Sequence, residues 1–417
     1  MKIRRSVFAE GVFWTALIFC TLYSVYRYPL KLGTTSTSPT YSDTPVVIQA
    51  AKFVVVLILC LFVGLRALVT PVRARRMAML VALLFLQIFV LVKAIYAFDV
   101  EFINQSFWAM AAITLVISVR RIRIQQLDKF LMFLFWFSVL TDALQVFLFI
   151  VFRRLPAQGY PDSIVVRFGG WLDAPNDFAC LLFLLIAWGF CRFRGKRRVL
   201  AEASLIVCLL LTQSLTAYAF LALLLLLLGL RQALRRPIYL VILLALVIVF
   251  FAFTHAWIGD LFHSILENKT GSIEGHLRSP ERWFSEWNEW VVWGAADHVF
   301  FEDWWLSSLL NLGVAWVCAC AAAMAGLVLF VFLRLRRATD LRDRSVLAGT
   351  LIFALYCLAG SFNLPLLTYF PVNFLFYSFT CLIFFDKIEY ASTAAAQASV
   401  ALPYPNSWEG PHGEGAH

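Results

Sequence analysis

The feature that most constrains this chain is a repetition: apolar runs of about 20 residues, the length that carries an α-helix across a bilayer, recur almost from end to end. They fall near residues 7–26, 46–69, 77–96, 105–119, 129–152, 172–191, 199–213, 215–230, 237–254, 304–333, 346–366 and 369–386. Backbone polar groups inside lipid must be bonded within the protein, so each run is expected to be a helix. The expected fold class is therefore all-α, a polytopic integral membrane protein with about twelve transmembrane helices. Hydrophobic residues form 62% of the chain and charged ones 14%, a balance that excludes a water-soluble core.

The spans group as helices one to nine in residues 1–254, a long polar interruption at 255–303, helices ten to twelve in 304–387, and a tail at 388–417. The tail is rich in Pro, Gly and Ala and is expected to be disordered. The first run passes from Glu10 through Phe13, Trp14 and Tyr23 without a small-residue cleavage site, so it reads as a retained helix.

Lysine and arginine distribution orients the chain. Alternate connections hold 25 of the 35, in clusters such as Arg73 to Arg76, Arg192 to Arg198 and Arg334 to Arg344; the opposite connections hold eight. Positive charge is retained on the cytoplasmic side, so both termini are expected there and residues 255–303 in the periplasm. The net charge of +10 is thus a matter of topology, and no nucleic-acid partner is implied. Lys52, Lys93, Asp142 and Glu202 fall in apolar spans and read as structural, with Lys52 and Lys93 snorkelling or pairing locally.

All nine cysteines lie in spans or at their ends, so no disulfide framework is expected; Cys318 and Cys320 fall on different faces of a helix, which argues against a metal site. HExxH, P-loop, DxD and GxGxxG patterns are absent, leaving nucleotide and metal chemistry unsupported; no cofactor is expected.

Chemistry is expected on the outer side. The 255–303 loop carries four of the six histidines, including His298, with Arg278 and Arg282 in a Trp-rich setting and Glu302-Asp303 before the next span. A second outer stretch, RFGGWLDAPNDFA from Arg167, combines an arginine, Asp173, Asn176 and Asp177 with a helix entry. Unpaired helix-entry amides beside a guanidinium suit a phosphate or diphosphate; Asp and Asn before a helix are also ordinary caps. TQSLT, Thr212 to Thr216, is the sole polar break between two short spans, and reads as a cavity lining or as a tight interfacial hairpin.

The order of these pieces resembles that of the bacterial O-antigen ligase and Wzy-type polysaccharide polymerase superfamily. The resembling text is RFGGWLDAPNDFA, TQSLTAY, GHLRSPERWFSEWNEWVVWG from Gly275 to Gly294, and EDWWLSSLLNLG from Glu302 to Gly313, covering roughly residues 165 to 375. Each motif is weak alone; order and spacing carry the likeness. The ligases have a His-Asn pair where this chain has Glu302 and Asp303, with His298 four residues early, so the chain resembles a polymerase more than a ligase.

The resemblance implies glycosyl transfer on the periplasmic face of the bacterial inner membrane, with neither metal nor nucleotide. Donor and acceptor would be oligosaccharides on undecaprenyl diphosphate, with a chain-length regulator and a flippase as associated machinery. Arg167, Arg278 and Arg282 would bind diphosphate, and Glu302, Asp303 or His298 would accept the proton. Asp173, Asn176, Trp283, Trp287 and Trp304 would contact sugar or lipid, although Trp is also expected at bilayer interfaces. A carboxylate beside a helix N-terminus and arginines would stay ionised and be a weak base. Asp303 is alternatively the helix cap. The alternative functions are a ligase-type transferase, a polysaccharide transporter or flippase, and a scaffold. A transporter concentrates charge at mid-membrane, whereas this chain concentrates it at the outer surface.

Overall fold

The computed structural model describes residues 2–26, 46–97, 100–152, 167–172, 174–233, 292–294 and 303–390. The expected span at 237–254, most of the 255–303 loop and the tail lie outside the described residues. What is described is almost wholly helical: α1 (Lys2–Leu22), α2 (Val46–Val69), α3 (Ala74–Ala97), α4 (Val100–Ser118), α5 (Ile124–Phe152), α6 (Pro175–Arg192), α7 (Gly195–Leu211), α8 (Leu215–Ala233), α9 (Trp304–Leu312), α10 (Val314–Arg337), α11 (Leu341–Gly360) and α12 (Val372–Phe384). Eight of these, α1 to α6 with α10 and α11, are long and apolar enough to cross a membrane. The chain is an all-α, multi-pass membrane protein by this measure.

Two expected spans take other forms. The run at 304–333 is two helices, because the chain turns at Gly313 with φ +85 between α9 and α10. Apolar residues continue through that turn, so hydropathy alone reads it as unbroken. The run at 369–386 yields the 13-residue α12, which at 1.5 Å per residue covers about 20 Å. Irregular backbone at 361–371 precedes it, much of it buried by neighbouring helices, as backbone at this depth must be.

At the centre α6 and α11 pack along their length. Gly349 makes the approach possible: a Cβ there would stand 2.8 Å from the Leu184 carbonyl oxygen. Around this pair, α4 packs between α2, α3 and α12, while α10 joins α11 to α3 and α9. Large apolar side chains fill the interior, including Trp108, Trp171, Trp188, Phe183 and Phe374. The faces of α2 and α3 that carry Leu61, Leu65, Phe85 and Val92 are open, as expected for surfaces bathed in lipid.

The ends of the bundle differ. At one end the basic connections converge: Arg192 pairs with Asp128 at 3.1 Å, Arg66 donates to the Ser118 carbonyl, and Lys387 donates to the carbonyls of Ile117 and Val119. Here a two-residue parallel pair joins β1 (Ile122–Arg123) to β2 (Ile388–Glu389). Arg66, Arg192 and Lys387, which charge assigns to one side, thus fall at one end. The other end holds the starts of α6, α9 and α12 and the turn between α7 and α8.

Candidate functional site

The site is built at this second end, from breaks in helices. Ala174 is extended, Pro175 opens α6 with a preset φ, and Asn176 and Asp177 occupy the first turn. Ahead of them the 167–172 stretch lies against the end of α7, with Phe168 N–H donating to the Leu211 carbonyl at 3.0 Å. Arg167 Nε donates to the Thr212 carbonyl at 3.0 Å and Nη2 to Asn176 Oδ1 at 3.0 Å. Two bonds at different nitrogens fix the plane of the guanidinium, which is half-buried. Asn176 is therefore not a helix cap; it orients an arginine.

The polar break at Thr212 is covered by protein. Thr212 and Ser214 are buried, and Gln213 takes a left-handed conformation with φ 49. On its far side Thr216 Oγ1 accepts from Asn363 Nδ2 at 2.7 Å, tying the α7–α8 turn to the segment after α11. Asp177 is buried at the first turn of α6, in electrostatic reach of the buried Tyr356 of α11. Asn363 and Tyr356 are additions to the residues picked from sequence, whereas Thr216 closes the TQSLT break; the signal for Asn363 was a polar residue in GSFNLP, a break between two apolar runs.

The same post-α11 segment holds the start of α9. Trp304 N–H donates to the Ser361 carbonyl at 3.0 Å, and Trp305 donates its indole N–H to Leu358 and stacks on Phe362. Asp303 is the N-cap: its Oδ1 accepts from Leu306 N–H at 2.7 Å. It is buried, and burial pushes its carboxyl up to about 6, with the Leu306 bond pulling the other way. Among the described residues desolvation is the larger influence on this carboxyl and the helix-terminus bond the smaller one. Such a group is a better base.

Trp304 also departs from expectation. It is fully buried, its indole donates to Gln105 Oε1 at 3.0 Å, and Trp305 and Trp316 meet it edge-on, so it presents no face to a sugar. Its part is to plug α9 onto α4.

Residues 292–294 dock on the α9–α10 joint. Gly294 lies against the Asn311 carbonyl and Gly313 against the Val292 carbonyl, so closely that a Cβ at Gly313 would stand 2.1 Å from the Val292 oxygen. Lys93 Nζ, from α3, donates to the Trp293 carbonyl at 2.6 Å and to the Asn311 carbonyl at 2.8 Å. Of the snorkelling and local-pairing alternatives, Lys93 follows the second. Lys52 lies 4.9 Å from the Phe370 ring centroid.

Arg167, Asn176, Asp303 and Trp304 are thus described, and the first three belong to one end of the bundle through the bonds of Thr212, Thr216, Asn363 and Ser361. Glu302, His298, Arg278, Arg282, Asp173, Trp283 and Trp287 lie outside the described residues. Among those described, the cysteines are all free and no cluster of His, Cys, Asp or Glu has the makings of a metal site.

No protein-family model and no curated protein matches the chain. Function therefore rests on the residues themselves. The arrangement offers a fixed cation, a buried carboxylate of moderate basicity, and an attachment point for the 255–303 loop at residues 292–294. Together these suit binding of an anionic group and removal of a proton.

Proposed function

We propose that this chain is a bacterial polysaccharide polymerase of the Wzy type, transferring a glycan from undecaprenyl diphosphate to a second lipid-linked repeat unit at the periplasmic face of the inner membrane. In this reading both termini are cytoplasmic. The observation that carries it is Arg167, held at two nitrogens by Thr212 and Asn176 at the helix entry whose motif resembles that superfamily.

The chemistry follows from charge. As the bond between the sugar's anomeric carbon and the diphosphate breaks, negative charge grows on the leaving oxygens; a guanidinium already oriented stabilises it without reorganisation. Arg278 and Arg282 are assigned to the same anion. The acceptor hydroxyl attacks that carbon and gives its proton to a carboxylate, Asp303 or Glu302, with His298 as the further candidate. Asp303, with its carboxyl near 6, is mostly ionised at neutral pH and ready to accept.

The test is incubation of the purified full chain with a lipid-linked repeat unit, followed by separation of products by length. A ladder of lengthened lipid-linked glycans is expected. Transfer to a lipid A-type acceptor without laddering would make it a ligase, and movement of the substrate across a vesicle without new bonds would make it a flippase.

A further inference from the structure

At the basic end, remote from the proposed site, three arginines from two helices and their preceding connection close on a single carboxylate. Asp386 accepts from Arg73 at 3.1 Å and from Arg76 at 2.5 Å, and its other oxygen is held by Arg334. Asp386 stands just past α12 in the left-handed region, φ 53, where Asp is among the more tolerated residues, and this presents its carboxylate to α3 and α10 together. Arg76 and Arg334 each lie 5.3 Å from the centroid of the Phe330 ring, and Arg334 also faces Tyr390.

Charge does not balance here. Three guanidiniums meet one carboxylate, and a second described acid, Asp343, bears on Tyr390 beside the cluster. A cationic surplus remains where α3, α10 and α12 leave the apolar layer. Arg76 is the inner member of the cluster, packed over the Phe330 and Phe384 rings with its Nη1 buried. Arg73, 74% exposed, leaves the cluster open toward the surroundings.

We propose that this cluster is a binding site for the headgroup phosphodiester of an anionic membrane lipid. The phosphate oxygens would share Arg73 and Arg334 with Asp386, while the acyl chains lie along the apolar outer faces of α3 and α10, where Val81, Phe85 and Leu329 are exposed. A lipid is favoured over a soluble phosphate because the site adjoins faces that only acyl chains would cover, and arginines between helices at the membrane surface recognise such headgroups.

The experiment is native mass spectrometry of the purified full chain in detergent, offered phosphatidylglycerol, phosphatidylcholine or inorganic phosphate. Phosphatidylglycerol should be retained in preference to phosphatidylcholine. Arg73→Ala removes an exposed side chain without opening the core and should lower that retention about ten-fold, a loss on the scale of one charge-assisted bond. Asp386→Asn removes the competing carboxylate and should raise it. Equal retention of the two lipids, or no change in Arg73→Ala, overturns the site. Displacement of phosphatidylglycerol by millimolar inorganic phosphate overturns its assignment to a lipid.

Discussion

Arg167 and Asn176 meet at 3.0 Å, with the guanidinium Nη2 donating to the amide oxygen across the turn that opens α6. A side-chain amide in a helix's first turn is here an instrument for aiming an arginine.

Removing that aim should cost activity without unfolding the protein. Asn176→Leu is expected to lower polymer formation about ten- to hundred-fold, the range of one hydrogen bond to a charged group, while expression stays near normal. Arg167→Ala should abolish it. Arg167→Lys should be seriously impaired, because an ammonium cannot keep two bonds at the spacing of Nε and Nη2. Product length on gels measures all three; full activity in Arg167→Ala would end the diphosphate assignment.

Asp303 predicts a pH dependence in both rate and stability. Its carboxyl rises from an ordinary 3.8 to about 6 in the folded chain, so the native state holds the proton more tightly than the unfolded one. Stability from this group is greatest below about pH 4 and is lost as pH rises through about 6. Asp303→Asn keeps an oxygen for the Leu306 N–H but has no charge to desolvate, so thermal unfolding should find it gaining on the wild type between pH 4.5 and 7.5. Polymer formation by the wild type should rise through about pH 6 and vanish in Asp303→Asn. Normal activity in that variant would pass the role to Glu302 or His298.

Gly313 and Gly349 should tolerate no side chain, for different reasons. Gly313→Ala drives a Cβ into the Val292 carbonyl at a φ of +85, releasing residues 292–294 from the α9–α10 joint. Gly349→Ala presses on Leu184 and forces α6 and α11 apart. Each is expected to cost about 1–3 kcal/mol, the range for overpacking. Thermal melts in detergent give the test, and Gly11→Ala, with nothing within 4 Å of the added carbon, is the control.

The two ends of the bundle should read out on opposite sides of the membrane. Reporters at residues 194 and 339 are expected in the cytoplasm, and single cysteines at 293 and 362 should react with an impermeant thiol reagent from outside, since Trp293 and Phe362 are both exposed. Reporter and labelling results that put all four positions on one side would overturn the topology.

Much of this was legible in the sequence, where the physics was local. Hydropathy identifies the membrane class, Pro175 marks a helix start, and Asp303 three residues before Leu306 reads as a cap. The rest depended on partners far along the chain. Arg167 could be chosen as an arginine against the charge bias, but its second acceptor is a backbone carbonyl 45 residues away. Nothing in a row of tryptophans distinguishes Trp304, whose indole finds Gln105, from one left open to a ligand. The break at Gly313 escapes hydropathy because apolar residues flank it on both sides.

The first two turns of α4 have a consequence for how such a chain is made. Gln105 gives its side-chain oxygen to Trp304 and its backbone carbonyl to Asn373, and Asn104 donates to the Thr368 carbonyl. These partners are synthesised 199 to 268 residues later. Until then α4 enters the bilayer with polar groups that lipid cannot satisfy, so the nascent bundle has to be sheltered, by water or by the insertion machinery, until the last helices arrive to claim them.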